Sequence, residues 1–436
     1  MTAIPAGAVP STAVPSTAGP AGAGAAGAGP AGAGPATAPG IGEILFVELL
    51  GGIGDLLIAL PAIHLLADSH PRARLRVLTF TPAVELLHGD PRVAEILPLT
   101  DHGGRAVQAA VRDAMARRPD LAVTTTRHSG VPAAIESGRP RFAVTDLWRG
   151  PGPHEPIGDR YVRLLAADGW LRLPDGADRP AGGRREPDQL GERPPGQVAL
   201  DSGELTEGRH RLVALTTPGG TTPGGTTPGG TASGTAGGGV PVLLVPDAGM
   251  AVKRWPAPRW AELARLLTAR GHPLLHPHGT AVPRAVAVPP LSLREFAGLC
   301  AAVAERGGVV VGGDTGPVRL AAAVGAPTVT LFGPSTAARY GLVGQDGSAT
   351  RTRLADRRLA GGTAGTDARR PRRTLGADLQ GLPDCAVRRP LAITEQECWW
   401  TARCPLAPDG PACLDDLSAE QVAGAVAEVA RTPPTV

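Results

Sequence analysis

The chain has 436 residues, of which 60 are glycine and 46 are proline, while 42% of all residues are apolar. The apolar content excludes a uniformly disordered protein, and the concentration of glycine and proline in blocks argues against one compact domain from end to end. A net charge of +3 and an aromatic content of 3% disfavour nucleic acid as a partner. We therefore expect two domains joined by unstructured segments.

Residues 1–40 are mostly Ala, Gly, Pro, Ser and Thr and carry almost no charge. They lack the basic start and the apolar core of a signal peptide. No apolar run approaches the roughly 18 to 20 residues that span a bilayer. The sequence thus predicts a disordered tail on a cytoplasmic protein, with at most peripheral contact with the inner face of a membrane.

Residues 41–175 have the pattern of an α/β domain. A short apolar run at Ile44 to Val47 is followed by a glycine turn and then by apolar residues at helical spacing from Leu56. Further strands are predicted at 75–80, 121–125 and 142–145, with helical stretches near 84–87 and 107–117. Alternating strands and helices predict a parallel, doubly wound sheet.

Residues 176–239 break this pattern with sequence rich in proline, glycine and arginine. Between Thr216 and Gly230 the segment TTPGG occurs three times in succession. A five-residue unit is too short for a solenoid repeat, so we interpret the whole segment as a low-complexity linker.

A second α/β pattern fills residues 240–436, with strands predicted at 240–245, 308–311 and 328–332 and helices between them. An arginine-rich stretch at 345–384 interrupts it and predicts a flexible insertion, either a solvated loop or a contact with an anionic surface. The chain closes with an amphipathic helix predicted at 418–431.

The glycine turn after the first strand contains Gly52 and Gly54, but Leu57 stands where a dinucleotide fingerprint has its third glycine. A nicotinamide cofactor is therefore disfavoured. Asp55 follows at the mouth of the helix, where a carboxylate serves either as a helix cap or as a general base. The helix dipole is expected to lower the pKa of Asp55, which would make it a weak base that acts through its position.

Two features of the second domain suit a phosphate ligand. The segment from Gly313 to Pro317 ends a predicted strand and places proline at the first helical position, where free backbone N–H groups bind anions. Lys253, the only lysine of the chain, lies in the loop after the first strand of the same domain. Its ammonium can reach a diphosphate as a point charge.

Taken together, these motifs resemble glycosyltransferase family 9, the heptosyltransferases of bacterial lipopolysaccharide core assembly and their relatives. The resemblance is carried by residues 44–55 with Leu60 to Ile63, by 91–96, and by Lys253 to Pro256 with Arg259 and Trp260. It continues through residues 313–320 and 331–334.

The resemblance implies a GT-B fold, with two Rossmann-like domains that face a cleft. It implies an inverting transfer of a sugar, such as heptose, from a nucleoside-diphosphate sugar to a glycan or glycolipid, with no cofactor and no metal ion. An Asp-x-Asp triplet is absent from the sequence. By this likeness Asp55 is the base, and Gly52 and Gly54 belong to the loop on the acceptor side. The implied donor-binding residues are Lys253, Asp314, Thr315, Gly316 and Arg319.

The sequence departs from the family at two places. The family usually has histidine where this chain has Arg319, and residues 276–284 lack the carboxylate that contacts the ribose of adenosine in heptosyltransferases. These departures leave two alternatives open: a catalytically silent protein that binds nucleotide sugars, and a nucleotide-sugar epimerase of the same shape.

Four of the five cysteines lie near the C-terminus, at positions 385, 398, 404 and 413. Their spacing does not form the close pairs of standard zinc sites. We expect packing or a local disulfide rather than a metal site.

Overall fold

The computed structural model describes residues 40–172 without 151 and 153, residues 196–217, residues 238–343, and residues 376–430 without 409. The predicted tail up to residue 39, the TTPGG repeats from residue 218 and most of the arginine-rich insertion lie outside the described residues. No helix in these described ranges is both long and apolar enough to cross a bilayer.

The N-terminal half is built around a five-stranded parallel sheet in the order β3-β2-β1-β4-β5. Its strands are β1 (Glu43–Glu48), β2 (Arg74–Phe80), β3 (Glu95–Leu99), β4 (Leu121–Thr124) and β5 (Phe142–Val144). Its helices are α1 (Ile53–Ser69), α2 (Gly104–Met115), α3 (Val131–Ser137) and α4 (Ile157–Ala167), with a 3₁₀ helix at Ala83–Leu87.

Strand β1 shows how the sequence builds this layer structure. Successive side chains of a strand point to opposite faces, and both faces of a parallel sheet are covered by helices. Accordingly Ile44 and Phe46 pack in the same cluster as α1 and α4, whereas Leu45 and Val47 pack with α2 and α3. The continuous apolar run is therefore a central, fully buried strand.

The C-terminal half is built around a six-stranded parallel sheet in the order β11-β10-β9-β6-β7-β8. Its strands are β6 (Val242–Val245), β7 (Leu274–His276), β8 (Val286–Ala287), β9 (Val309–Gly313), β10 (Thr328–Phe332) and β11 (Gly376–Gln380). Its longer helices are α5 (Ser202–Thr216), α6 (Ala257–Ala269), α7 (Leu293–Glu305) and α8 (Gly316–Ala323). Short helices α9 (Ala337–Tyr340), α10 (Glu397–Thr401) and α11 (Ala412–Asp415) precede the final α12 (Ala419–Ala430).

The structure corrects the predicted linker at 176–239, because residues 202–216 form helix α5. An Asp201–Glu204 capping box begins this helix, and α5 packs tightly against α7. At their crossing the backbones touch, since a Cβ on Gly208 would lie 2.2 Å from the carbonyl oxygen of Gly298. The sequence on both sides of this helix is rich in glycine and proline, so the composition of the whole segment did not indicate a helix.

The predicted flexible insertion at 345–384 is also wrong at its C-terminal end. Residues 376–380 form β11, which pairs with β10 from Thr328–Gly376 to Phe332–Gln380. The strand carries Asp378 and ends in Gln380, so it lacks the apolar run by which the other strands were recognised. Strand β11 is instead held at the edge of the sheet by its backbone hydrogen bonds with β10.

The two halves meet through helices that start at the carboxyl ends of strands. Helix α1 follows β1, α8 follows β9, and the two helices pack against each other. The loop with Lys253 follows β6. In each sheet the strand order reverses beside these strands, and such switch points are where open α/β sheets bind ligands.

Candidate active site

Asp55 lies at the third position of α1, and Gly52 caps the helix. The N–H of Gly52 donates to Oδ2 of Asp55 over 3.0 Å. The carboxylate therefore does act on the helix start, as one of the two sequence interpretations expected. Oδ2 of Asp55 makes that contact. The negative charge of Asp55 also interacts with Lys253 and Arg319 on the other side of the cleft.

The prediction that the pKa of Asp55 is lowered overall is wrong. Burial raises the pKa of Asp55, and the hydrogen bond from Gly52 and the positive charges of Lys253 and Arg319 offset this only in part. Desolvation thus outweighs the helix start. A raised pKa makes Asp55 a stronger base than the sequence suggested.

Glu48, the last residue of β1, is a site residue that sequence reasoning missed. Its side chain is 1% exposed. Oε1 accepts from the N–H of Leu50 over 3.0 Å, and the hydroxyl of Thr79 donates to Oε2 over 3.3 Å. Burial raises the pKa of Glu48 to about 8, and the nearby charge of Asp55 adds to the effect. The signal was visible as one carboxylate that ends an otherwise apolar strand.

Across the cleft, Asp314 is the centre of a compact ion network. Its Oδ2 accepts from Lys253 Nζ over 3.0 Å and from the hydroxyl of Ser335 over 2.8 Å. Its Oδ1 accepts from Nη2 of Arg319 over 2.5 Å. Burial works to raise the pKa of Asp314, but the charges of Lys253 and Arg319 outweigh it and hold that pKa well below its usual range.

Lys253 is held on two further sides. Its ammonium also donates to the backbone oxygen of Asp314 over 3.1 Å and lies 5.2 Å from the ring centroid of Trp399. Trp399 belongs to α10 and packs with Val252 and Cys398 in a small apolar cluster. The C-terminal segment therefore supports the lysine loop, a contact that the sequence did not reveal.

Helix α8 begins at this network with Thr315 as its N-cap and Gly316 as its first residue. The hydroxyl of Thr315 is buried without a hydrogen-bond partner. A Cβ on Gly316 would lie 2.2 Å from Cγ1 of Ile53, and one on Gly54 would lie 3.5 Å from Cδ of Arg319. The glycines thus let the starts of α1 and α8 approach each other.

The structure brings seven of the eight residues proposed from the sequence to one place, namely Gly54, Asp55, Lys253, Asp314, Thr315, Gly316 and Arg319. Gly52 lies beside them in the exposed turn, where its N–H holds Asp55. Sequence reasoning missed Glu48, Ser335 and Trp399.

The C-terminal cysteines lie outside this network. All five cysteines of the chain are free thiols. In the part of the chain that the structure describes, no three histidine, cysteine or carboxylate side chains are grouped to hold a metal ion. Cys398 and Cys413 are buried, in accord with the expected packing role.

Two parallel α/β domains that meet at the ends of β1, β6 and β9 form the architecture of the GT-B fold. Residues 234–357 match the family model of glycosyltransferase family 9 (heptosyltransferase). This match confirms the resemblance inferred from the sequence, and the chain is a glycosyltransferase with a family 9 domain in its C-terminal half.

Solved structures agree in fold. A family 9 glycosyltransferase from Veillonella parvula DSM 2008 aligns over 89% of this chain and 97% of its own, with 12% identity and a TM-score of 0.58. ADP-heptose lipopolysaccharide heptosyltransferase II from E. coli aligns over 89% and 98%, with 15% identity and a TM-score of 0.52. Among curated protein sequences none matches the chain.

Proposed function

We propose that the protein is an inverting glycosyltransferase in which Asp55 is the general base and the C-terminal half binds the diphosphate of a nucleotide sugar. The observation that carries this proposal is the pairing of the raised pKa of Asp55 with the positive charge of Lys253 on the opposite wall. Asp55 takes the proton of an acceptor hydroxyl while the hydroxyl oxygen attacks the anomeric carbon. The bond from that carbon to the diphosphate breaks, and the diphosphate leaves with the electron pair.

The leaving diphosphate needs positive charge, and two sources lie within the described site. Lys253 offers an ammonium on a side chain that is 19% exposed, and the start of α8 offers free N–H groups beside Gly316. Their arrangement supports transfer without a metal ion or a cofactor. Electrostatic stabilisation of the departing charge is the larger catalytic contribution that we expect.

Asp314 and Arg319 act on this site in different ways. Asp314 fixes the ammonium of Lys253, so we assign it to positioning rather than to phosphate contact. Arg319 is 7% exposed, pairs with Asp314 and donates to the carbonyl of Tyr340. Because a guanidinium keeps its proton, Arg319 contributes charge and shape, and proton transfer is left to Asp55.

A solved structure of similar fold supports a proposal for the substrate class. The E. coli neighbour is named for ADP-heptose and lipopolysaccharide. We propose a nucleoside-diphosphate sugar of this kind as the donor and a hydroxyl of a glycan, glycolipid or related metabolite as the acceptor. We place the reaction in the cytoplasm, where such donors are made.

Calorimetric titration with ADP, GDP, UDP and dTDP tests the donor site. One of the four is expected to bind, and Lys253→Ala is expected to weaken its binding about tenfold or more because a charged contact to the diphosphate is lost. Arg306→Ala is the matched control, since it removes one positive charge from an exposed position at the end of α7. Equal binding by the Lys253 variant and the control would contradict the assignment.

A further inference from the structure

A second cleft lies beside the site, between the two halves of the chain. It opens to solvent and contains about 530 Å³ of empty space. One wall is apolar and is formed by α1 with Leu57, Ile58 and Pro61. Arg319 from α8 and Arg339 from α9 supply charge from the other half of the chain. The cleft thus has a lining of apolar carbon on one side and guanidinium groups on the other.

Arg339 is a buried cation that lacks a counter-ion. Its residue is 3% exposed, and no carboxylate of the described residues lies within ion-pair distance of it. One guanidinium nitrogen donates to the carbonyl of Gly152, whereas Nε is buried without a partner. Burial lowers the pKa of Arg339. The hydrogen bond with Tyr340 and the charge of Glu155 offset the cost of burial only in part, and a bound anion would remove more of it.

The neighbouring charges leave a positive surplus. Arg160 is 1% exposed, and its charge acts on Arg339. Nη2 of Arg160 lies 3.1 Å from Oε2 of Glu155. The same carboxylate also pairs with Arg163 over 2.5 Å, so two guanidinium groups share it. Asp159 lines the cleft as well but already has an interaction of its own.

We propose that this cleft is an oxyanion site, in which Arg339 and Arg319 bind a phosphate or carboxylate group. Guanidinium groups suit both oxyanions because their N–H groups match two oxygens at once. Ile58 lies one helical turn after Asp55 on α1. The bound group is therefore either part of an acceptor whose hydroxyl meets Asp55 or a free phosphate ion. The acceptor source rests on the proposed function, whereas binding of the ion does not.

Inorganic phosphate is the probe, and all variants carry Lys253→Ala so that the donor site lacks its ammonium group. Calorimetric titration is expected to show one phosphate site, which Arg339→Gln weakens about tenfold or more. Arg306→Gln is the matched control, since this arginine is exposed at the end of α7 and does not line the cleft, and it is expected to retain the affinity. Equal affinity in the Arg339 and Arg306 variants would overturn the proposal.

Arg339→Lys keeps the experiment decisive if Arg339→Gln fails to fold. Lysine retains the buried charge but cannot donate two parallel hydrogen bonds to two oxygens of the anion. Phosphate affinity is therefore expected to fall by a smaller factor than with glutamine. Unchanged affinity in the lysine variant contradicts an arginine-specific oxyanion site.

A kinetic comparison identifies the source of the anion, in protein that retains Lys253. With acceptors that differ only by a carboxylate or phosphate group, Arg339→Gln is expected to raise KM for the charged acceptor alone if the group belongs to the acceptor. A loss of phosphate affinity with no effect on either KM assigns the site to the free ion. If the protein transfers no sugar, the phosphate titration still tests the oxyanion site. The proposed function and the oxyanion site can therefore fail independently.

Discussion

The two walls of the cleft use the same side-chain chemistry in opposite ways. On the N-terminal wall, burial raises the pKa of Glu48 to about 8 and also raises that of Asp55. On the C-terminal wall, Asp314 is as deeply buried, yet its pKa is held far below the usual range by Lys253 and Arg319. The presence of cations within hydrogen-bond distance separates the two cases.

This difference supports the tasks that we propose for the two walls. A carboxylate without a cation in contact retains affinity for a proton, which is what a base needs. A carboxylate clamped between cations stays ionised and acts as a fixed anchor for Lys253. Under the proposed function, the N-terminal wall moves a proton, and the C-terminal wall holds and releases a diphosphate.

Removing the negative charge of Asp314 is expected to have the largest effect on stability. Asp314→Asn leaves the charges of Lys253 and Arg319 uncompensated, so the free energy of unfolding is expected to fall by about 3–5 kcal/mol in urea titrations. Asp415→Asn is the control, because Asp415 makes an exposed pair with Arg259 and its loss should cost at most about 1 kcal/mol. Similar losses for both variants would contradict a buried network.

The contact between the walls is tested by Gly316→Ala. The added Cβ meets Cγ1 of Ile53 at 2.2 Å, so the side chain of Ile53 must move or α1 and α8 must separate. We expect the free energy of unfolding, measured in urea titrations, to fall by about 1–3 kcal/mol.

Two further variants complete that test. In Gly316→Ala with Ile53→Ala, the space vacated at Ile53 should restore part of the stability. Gly424→Ala adds the same methyl group to α12, where nothing lies within 4 Å, and should stabilise by about 0.5–1 kcal/mol. No difference between Gly316→Ala and Gly424→Ala would show that the helices do not touch.

The pH dependence of stability sharpens the comparison on the N-terminal wall. Glu48 ionises near 4.5 in the unfolded chain but near 8 in the folded protein. The folded state therefore keeps a proton that the unfolded state loses, and the wild type loses stability relative to Glu48→Gln as pH rises between these values. The difference in Tm between the two proteins should change by a few degrees from pH 5 to pH 9. A constant difference in Tm between the two proteins across this pH range would show that the pKa of Glu48 is not raised.

The sequence predicted the central features of the site because each follows directly from local chemistry. Asp55 after an apolar strand, and Gly316 with Pro317 at a helix start, needed no tertiary information. The raised pKa values of Asp55 and Glu48 result from burial, which depends on how distant segments of the chain pack, so they could not be predicted. Strand β11 and helix α5 were missed since their stability comes from pairing and helix crossing rather than from composition.

The most direct test of the proposed division of labour is turnover of the donor by Asp55→Asn. The donor is the sugar conjugate of the nucleotide that binds in the titration. Asparagine retains the shape but cannot accept the acceptor proton, so turnover is expected to fall by about 10² to 10⁴. Nucleotide affinity should stay within about twofold of the wild type. Turnover that survives in Asp55→Asn, or nucleotide binding that disappears with it, would contradict the account.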